Sequence, residues 1–485
     1  MNWVPWATFR RENIKVGRPG QTLDQNLQDY FRIPLELFTG IDDTAGPVGG
    51  DLGFFQFGPN NICYGKCHAG VSKTVEGSGK FDALRAVNPN HNGASLHLPF
   101  SFTEVTQNLR LERYHSSMTS GREALVSSEP VRRFYSLLRK CLPLTVRRRL
   151  QRVYMGDWKN LPFPAWPVDF TVDEIHGLYL RLLMEATGLK RVPFIWFWPQ
   201  GASNCLIITH DVETTAGRDF TSKLMDMDDS QGFKASFQVV PEGRYDVPDQ
   251  YVEEIRRRGF EFNIHDLNHD GLLFSNRQEF LHRAARINAF ARKYRSQGFR
   301  AGCLYRNQDW YDAFEFSYDM SVPNVARLDP ERGGCCTAMP YFVGRIVELP
   351  VTTAQDYSVF HILREYSIEL WKQQMALIQD KNGLISVLTH PDYLTESRAR
   401  NVYMKFLTLL RETAERGGVW CALPGDVDAW WRERSQLQLV GGGNKWEIVG
   451  RGKERARLAY AVLDGKRLVY EITEASSYED VCRGK

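Results

Sequence analysis

The sequence predicts an α/β protein with a mostly parallel sheet and a β-rich region at each end of the chain. From residue 205 onward, short apolar runs rich in β-branched residues alternate with segments whose apolar residues recur every three or four positions. Residues before about 114 are rich in Gly, Pro and Asn without a long helical period, and Asp464-Gly465 marks a hairpin near the C-terminus. The alternating pattern fits a sheet that is either open or closed into a barrel.

Length and composition indicate a folded chain of several domains. The 485 residues exceed the usual size of one hydrophobic core, and the apolar and charged fractions of 43% and 25% are ordinary for globular proteins. We expect an irregular β-rich N-terminal domain over 1–130, a basic helical segment and Pro-rich linker over 131–168, the α/β domain over 169–435 and a small β-module over 436–485. The net charge of +3 does not favour a nucleic acid partner.

Cysteine usage and hydropathy indicate the cellular compartment. The nine cysteines are scattered and include the adjacent pair Cys335-Cys336, which is not typical of a disulfide framework. The N-terminal sequence lacks the apolar core of a signal peptide, and no apolar run is long enough to span a bilayer. We therefore expect reduced thiols and a cytoplasmic protein, and the sequence leaves the oligomeric state open.

The alternating region and the C-terminal module predict a definite set of elements. Strands are expected at 205–208, 235–240, 260–264, 299–305, 320–325, 346–351, 384–389 and 419–423. Helices are expected at 172–187, 251–258, 278–294, 362–379 and 396–416. Further strands are expected in the C-terminal module at 446–449, 456–463 and 467–472.

Two segments before the alternating region each allow a specific and a general interpretation. The run Cys63-Tyr-Gly-Lys-Cys67-His68 groups metal-ligand residue types, but no second ligand pair follows at a suitable spacing, so packing is the favoured interpretation. Between residues 131 and 152, eight Lys and Arg residues and no acid interleave with apolar residues, which predicts two short amphipathic helices around Pro143. This segment is either a solvated helical face or a peripheral contact with anionic lipid headgroups at the inner membrane.

The candidate functional residues share one property, an ionisable side chain at an end of a predicted strand, where α/β folds bind ligands. They are Asp211, Glu213, His265, His269, Arg300 and His390. Histidines four residues apart suit a helical turn that directs both rings the same way. Together with one carboxylate, such a pair forms the shell of a catalytic metal that keeps a position open for water.

Four motifs in chain order resemble those of the polysaccharide deacetylase family (NodB homology, carbohydrate esterase family four). They are Thr209-His-Asp-Val-Glu213, His265-Asp-Leu-Asn-His269, Phe299-Arg-Ala-Gly302 and Leu388-Thr-His-Pro391. The resemblance spans roughly 205–434, about half of the chain. It implies a distorted (β/α) barrel and a metal-dependent hydrolase, with zinc as the expected metal, that removes N- or O-linked acetyl groups from a sugar, polysaccharide or glycolipid.

The first motif departs from the family pattern. The second Asp of that pattern, a metal ligand, is replaced by Val212, and Glu213 stands where Gly is usual. Residues two apart on an extended segment project to the same side. We therefore expect Glu213 to bind the metal with His265 and His269, which leaves Asp211 free to act as the base.

The resemblance also implies an electrostatic role for Arg300 and an acid–base role for His390. Arg300 would keep Asp211 ionised and oriented, and His390 would protonate the leaving amine or alkoxide. Each also has a structural alternative, namely a surface cation for Arg300, a helix cap for Asp211 and a core residue for His390. The third motif continues with Cys303-Leu-Tyr-Arg306 in place of the usual aromatic and proline residues, and a fourth motif is not recognisable.

Two further functions remain open at the level of the sequence. The same residues could hydrolyse another amide, such as a formamido sugar or a cyclic imide. Alternatively, the altered first motif could mark a barrel that binds glycans without catalysis. The position of Glu213 relative to the two histidines separates these alternatives, because three donors can share one zinc ion only at short ligand distances.

Overall fold

The computed structural model describes residues 25–38, 50–90, 95–118, 144–443 and 445–473. Its strands are β1 (Leu52–Gln56), β2 (Ile62–Lys66), β3 (Asn88–Asn90), β4 (Ser95–His97), β5 (Arg191–Ile195), β6 (Asn204–Val212), β7 (Ser236–Val239), β8 (Glu261–His265), β9 (Gly298–Arg300), β10 (Tyr318–Asp319), β11 (Tyr341–Val343), β12 (Ile346–Glu348), β13 (Leu384–Thr389), β14 (Val419–Cys421), β15 (Gln438–Gly442), β16 (Lys445–Val449), β17 (Leu458–Asp464) and β18 (Arg467–Ile472).

The α-helices that it describes lie between these strands or before them. They are α1 (Gln25–Phe31), α2 (Phe102–Arg110), α3 (His115–Met118), α4 (Leu144–Tyr154), α5 (Thr171–Thr187), α6 (Thr215–Ser230), α7 (Asp249–Arg257), α8 (Arg277–Tyr294), α9 (Glu369–Asp380), α10 (Pro391–Leu394), α11 (Ser397–Glu415) and α12 (Pro424–Gln436). None of these described helices is long and apolar enough to cross a membrane.

A nine-stranded sheet forms the centre of the molecule. Its order is β11-β12-β10-β9-β8-β7-β6-β13, and β14 also pairs with β6. Every neighbouring pair is parallel except β11 with β12. Helices α6, α7 and α8 connect the successive strands from β6 to β9, as parallel pairing of consecutive strands requires a crossover connection. The predicted α/β class, with a mostly parallel sheet that curls as a distorted barrel, is confirmed.

Strand β6 lies in the interior of this sheet and all nine of its residues are buried. Its apolar, β-branched sequence suits a strand that is covered on both faces. Side chains on one face, including Leu206, Ile208 and Val212, enter the core that the surrounding helices form. The alternate side chains, including Asp211, point to the opposite face, which is the interior of the curled sheet.

Side chains, rather than a regular ladder, join the two edges of the curled sheet. The Thr352 hydroxyl donates to the carbonyl of Leu384 at 2.7 Å and accepts from the backbone N–H of Ser386 at 2.8 Å. The Thr353 hydroxyl donates to the carbonyl of Ser386 at 2.9 Å. The segment that follows β12 is thereby fastened to β13, and the seam of the barrel is closed without regular strand pairing.

The two ends of the chain contribute short antiparallel pieces. Strands β1 and β2 form a hairpin, as do β15 with β16 and β17 with β18. The predicted turn at Asp464-Gly465 joins the last pair, and Gly465 has the positive φ of 58° that such a turn favours. Strand β17 also pairs with β5, which precedes β6 in the chain. The predicted domain boundaries stay predictions, and this pairing joins residues on both sides of the boundary at 435.

Several predicted elements differ from the observed ones, and three of them differ for a reason that the backbone shows. The predicted strand 299–305 is reduced to β9, and the prediction of a strand at 320–325 was wrong, because β10 ends at Asp319 before it begins. After β9 the chain turns sharply, with positive φ angles of 58° at Cys303 and 54° at Leu304 that an extended strand does not tolerate. The predicted helix 362–379 begins only at Glu369, because a π-helical turn over Ser358–Leu363 ends with Arg364 in the left-handed conformation (φ 62°).

The predicted basic segment is described in part. Its second predicted helix is observed as α4, whereas residues 131–143, with the first predicted helix, lie outside the described residues. The lipid contact proposed for this segment is not tested by the fold alone.

We expect the Thr352→Val variant to lower the free energy of unfolding by roughly 2 kcal/mol, because it leaves a buried carbonyl and a buried N–H without their partner. Urea unfolding followed by fluorescence measures this change. Thr408→Val is the matched control, since the Thr408 hydroxyl bonds only within its own helix, to the carbonyl of Met404. Equal losses in the two variants would contradict the role assigned to the seam.

Candidate metal centre and catalytic residues

The carboxyl ends of four parallel strands bring the six candidate residues to one place. In the register of the sheet, His265 at the end of β8 pairs with Arg300 at the end of β9, and Thr389 at the end of β13 pairs with His210 in β6. Asp211 and Glu213 lie at the end of β6, and His390 directly follows β13. The sheet therefore gathers residues that are up to 179 positions apart in the sequence.

Glu213, His265 and His269 form a cluster with the composition of a metal site. One possible ligand atom from each residue lies within 4.8 Å of the others. Among the described residues, these three form the group of His, Cys, Asp or Glu side chains that could hold a metal ion. The Nδ1 atom of His265 contacts the carbonyl of Arg300 at 3.1 Å, so this nitrogen is the donor and Nε2 carries the lone pair.

The hydrogen bonding of two imidazole nitrogens in this cluster indicates whether a cation fits there. The Nε2 atoms of His265 and His269 are buried and have no hydrogen-bond partner among the described residues. The Nε2 of His269 lies 2.9 Å from Glu213 Oε1, yet the geometry is not that of a hydrogen bond. Buried polar atoms are normally satisfied, and two imidazoles with one carboxylate are ordinary zinc ligands, so the residues fit a divalent cation.

The pKa shifts of these residues bear on the protonation states in which they can bind a metal ion. Burial lowers the pKa of His265 to about 4, which keeps its ring neutral and able to bind a cation. Burial disfavours the charged carboxylate of Glu213, but His269 outweighs it and the pKa of Glu213 falls well below its usual range. Burial also opposes protonation of His269, but Glu213 raises the pKa of His269 above its ordinary value. Cation binding would therefore compete with protonation of His269.

A loop, and not the predicted helical turn, brings the two histidine rings together. The residues after β8 form bends, and Asp266 and His269 have positive φ angles of 57° and 54°. The ring centroids of His265 and His269 lie 4.8 Å apart. A Cβ atom on Gly302 would lie 2.5 Å from Asp266 Oδ2 and 3.0 Å from His269 Cδ2. Glycine in the third motif is therefore required for this loop to approach.

Asp211 is held by a fully buried arginine. Arg300 Nη1 donates to Asp211 Oδ1 and to the hydroxyl of Thr209, both at 2.8 Å, and Arg300 Nε donates to the carbonyl of Met320. Burial opposes the ionisation of Asp211, but Arg300, followed by His265 and His390, lowers its pKa below the usual value. The other carboxylate oxygen lies 3.6 Å from His265 Nε2, beside the position of a cation.

His390 is paired with a carboxylate that the sequence motifs did not reveal. Asp356 Oδ1 lies 2.6 Å from His390 Nδ1, and Asp356 Oδ2 accepts the backbone N–H of His390 at 2.8 Å. Burial disfavours the charged imidazolium, but Asp356 outweighs it and, with Glu213 and Asp211, raises the pKa of His390 to about 10. The free Nε2 of the ring lies 3.7 Å from Glu213 Oε1, so it faces the cluster.

Asp392, a second carboxylate that the sequence analysis missed, restrains the backbone at Glu213. Asp392 Oδ2 accepts the backbone N–H of Glu213 at 3.1 Å, and Asp392 Oδ1 accepts the hydroxyl of Thr214. A Cβ atom on Gly217 would lie 2.3 Å from Asp392 Oδ2. The only sequence signal for this contact is the position of Asp392 two residues after His390.

A buried polar network lies on the other face of the same strands. His210 Nδ1 contacts the Thr389 hydroxyl at 2.8 Å, and His210 Nε2 contacts Asp228 Oδ2 at 2.9 Å. The Tyr403 hydroxyl donates to Asp228 Oδ1 at 2.7 Å. The network ties β6 and β13 to helices α6 and α11, and so fixes the residues that directly follow His210 and Thr389. In the N-terminal part, Cys63 and Cys67 are buried among apolar residues.

Comparisons with known proteins find solved structures that this chain resembles in its fold. No protein-family model and no curated protein matches the sequence. Solved structures that the chain is similar to include a Mycobacterium smegmatis protein assigned to the polysaccharide deacetylases, with 18% identity over 52% of this chain and 98% of the other and a TM-score of 0.41. Another is the peptidoglycan deacetylase PdaC of Bacillus subtilis, with 11% identity over 48% of this chain and 93% of the other and a TM-score of 0.32.

We expect the Glu213→Ala variant to bind zinc more than roughly 100-fold more weakly than the wild-type protein, since even residues that only support a metal ligand contribute 10–100-fold. Calorimetric titration of zinc into chelator-treated protein measures this affinity. The Asp211→Asn variant is expected to retain zinc affinity within about tenfold, because Asp211 lies beside the cluster and outside its donor set.

One result would count against this assignment. Unchanged zinc affinity in Glu213→Ala would show that the cluster is not the metal site. Glu242→Ala is the control for the loss of a glutamate charge, since Glu242 pairs with Arg286 at the surface, and it should bind zinc like the wild-type protein.

Proposed function

We propose that this protein is a metal-dependent hydrolase that removes N- or O-linked acetyl groups from a sugar, a polysaccharide or a glycolipid. The reaction cleaves a C–N amide or an ester bond. The resemblance of the four strand-end motifs to those of the polysaccharide deacetylases supports the carbohydrate substrate, and the geometry of the cluster supports the reaction type.

One observation carries the proposal most strongly. A buried carboxylate with a lowered pKa, Asp211, and a buried imidazole with a raised pKa, His390, both border the three-donor cluster, at 3.6 Å from His265 and 3.7 Å from Glu213. Environments that push the pKa values of two titratable groups apart are typical of a catalytic base and a catalytic acid. Near neutral pH, Asp211 is ready to accept a proton and His390 is ready to donate one.

The roles of the residues follow from this arrangement. A divalent cation held by Glu213, His265 and His269 would lower the pKa of a water molecule and polarise an acyl carbonyl. Asp211, oriented by Arg300, accepts the proton of the attacking water. His390 donates its Nε2 proton to the leaving nitrogen or oxygen, and Asp356 stabilises the charged ring until that transfer.

The proposal is tested by the product formed from an acetylated sugar. We expect the zinc-loaded protein to release acetate from acetylated chito-oligosaccharides or acetylated xylan, and chelation followed by zinc addition to abolish and restore the activity. Asp211→Asn should lower kcat by about 100- to 10,000-fold, the usual contribution of a general base. Asp219→Asn, which removes an exposed carboxylate paired with Arg218, is the control and should leave kcat unchanged.

Other products would identify the competing functions. Release of formate from a formamido sugar, without acetate from any acetylated sugar, would indicate hydrolysis of a different amide. Binding of sugars without any product at full zinc occupancy would indicate a non-catalytic glycan-binding barrel.

We expect the Asp356→Asn variant to shift the alkaline limb of the kcat/KM profile to lower pH. Asp356 raises the pKa of His390, so removing its charge lowers that pKa, and the acid form of His390 is lost at a lower pH. The pH dependence of acetate release measures the shift. Asp428→Asn is the control, because it removes a buried carboxylate whose partners, Arg432 and Ser317, are not part of the cluster. Its profile should keep the wild-type limbs. An unshifted limb in Asp356→Asn would refute the pairing of Asp356 with His390.

A further inference from the structure

Helix α4 packs one face against the border of the candidate site. Met155, directly after the helix, lies in a small apolar cluster with Leu328 and Ile362. Arg148 Nη2 lies 3.2 Å from His361 Nε2, and the Tyr357 hydroxyl donates to the side chain of Gln151. These contacts attach the helix to the π-helical turn that begins next to Tyr357.

A series of contacts between aromatic rings connects the packed face of α4 with the imidazole of His390. The ring of His361 lies 4.9 Å from the ring of Tyr393, and Tyr393 lies 5.0 Å from His390. Tyr393 also lies 5.5 Å from Tyr357. The helix is therefore separated from His390 by two layers of aromatic rings, and a molecule bound to its outer face lies beside the candidate site.

The opposite face of α4 exposes a continuous apolar stripe. Val146, Leu150 and Val153 are 40%, 48% and 75% exposed. Their spacing of four and three residues places them in one row along the helix. Isolated exposed apolar side chains are ordinary, but a row of three on one helix face forms an apolar surface that is available to a partner.

Positive charge accompanies this stripe. Arg149 and Arg152 are on the helix, on the side that leads from the stripe toward the packed face, and Arg149 is exposed. In the sequence, residues 131–152 contain eight Lys and Arg residues and no Asp or Glu. An apolar row bordered by arginines matches an anionic layer above a hydrocarbon layer, which is the surface of a bilayer that contains acidic lipids.

We propose that the outer face of α4, formed by Val146, Arg149, Leu150, Arg152 and Val153, docks on an anionic lipid bilayer and thereby presents the candidate site to membrane-borne substrate. A helix is about 10 Å wide, and the aromatic rings add to the separation. The reacting group must stand clear of the bilayer surface. Resting on the proposed function, this makes the substrate a glycolipid with an extended acylated sugar headgroup, rather than an ester next to the acyl chains.

Vesicle sedimentation tests the docking of the full-length protein directly. We expect the protein to bind vesicles of phosphatidylcholine with phosphatidylglycerol and not vesicles of phosphatidylcholine alone, and added salt should weaken binding. Replacing Arg149 and Arg152 with Gln should weaken binding about fivefold for each arginine. The pair Leu150→Ser and Val153→Ser should also release the protein, whereas Leu281→Ser, on α8 and 45% exposed, is the matched control and should bind like the wild-type protein.

Several outcomes would overturn the proposal. One is equal sedimentation with neutral and anionic vesicles, and another is unchanged binding of the Leu150→Ser, Val153→Ser protein. A change in oligomeric state in that variant, measured by size-exclusion chromatography with light scattering and without any effect on vesicles, would assign the stripe to a second copy of the chain. Circular dichroism and zinc affinity like those of the wild-type protein confirm that each variant is folded.

An activity measurement separates failure of docking from failure of the proposed function. The stripe variant should hydrolyse soluble methyl N-acetylglucosaminide at the wild-type rate, but should lose at least about tenfold in rate on a long-chain alkyl N-acetylglucosaminide embedded in anionic vesicles. Equal rates of the two proteins on the embedded substrate would refute the role in presentation. Binding to anionic vesicles without hydrolysis of either substrate would leave the docking intact and refute the proposed deacetylation.

Discussion

The alternation of side chains along the buried strand β6 determines what every neighbouring element contributes to the site. Thr209, Asp211 and Glu213 project toward the interior of the curled sheet, whereas His210 and Val212 project toward the helices. A strand covered on both faces cannot change register without exchanging these two sets. The apolar residue in the first motif is therefore accommodated in the helical core, while the acid that follows it remains on the side of the two histidines.

This geometry places several charges where water does not compensate them, and each is balanced by a partner. Arg300 is fully buried and binds Asp211, and His390 is paired with the fully buried Asp356. Removing one member of a buried ion pair typically costs about 3–5 kcal/mol, because the other charge is left uncompensated. The pairs thus make opposite protonation states of Asp211 and His390 stable within one small volume.

The sequence was sufficient to predict those parts of the site that lie on regular elements. The predicted strands 205–208 and 384–389 lie within observed strands and 260–264 overlaps β8, so the positions of Asp211, His265 and His390 could be inferred from periodicity. The contacts of Asp356 and Asp392 could not, because both residues lie in short helical segments without a clear apolar period and meet their partners across 34 and 179 positions of the chain. The predicted helical turn between the histidines was wrong, since Asp266 and His269 have left-handed backbone angles and the loop packs closely on Gly302, a tertiary contact that the spacing of the histidines does not indicate.

The position of Glu213 in the altered first motif depends on its contacts with Asp392, which in turn packs against Gly217. A ligand that follows the last residue of β6 depends on the turn that leaves the strand, because the sheet no longer fixes its backbone. Asp392 supplies that restraint by accepting the N–H of Glu213 and the hydroxyl of Thr214. The restraint requires a residue without a side chain at 217, where a Cβ atom would collide with the Asp392 carboxylate at 2.3 Å. The three residues therefore act as one unit, in which a carboxylate on the turn after β13 holds the backbone of a metal-ligand candidate on the turn after β6.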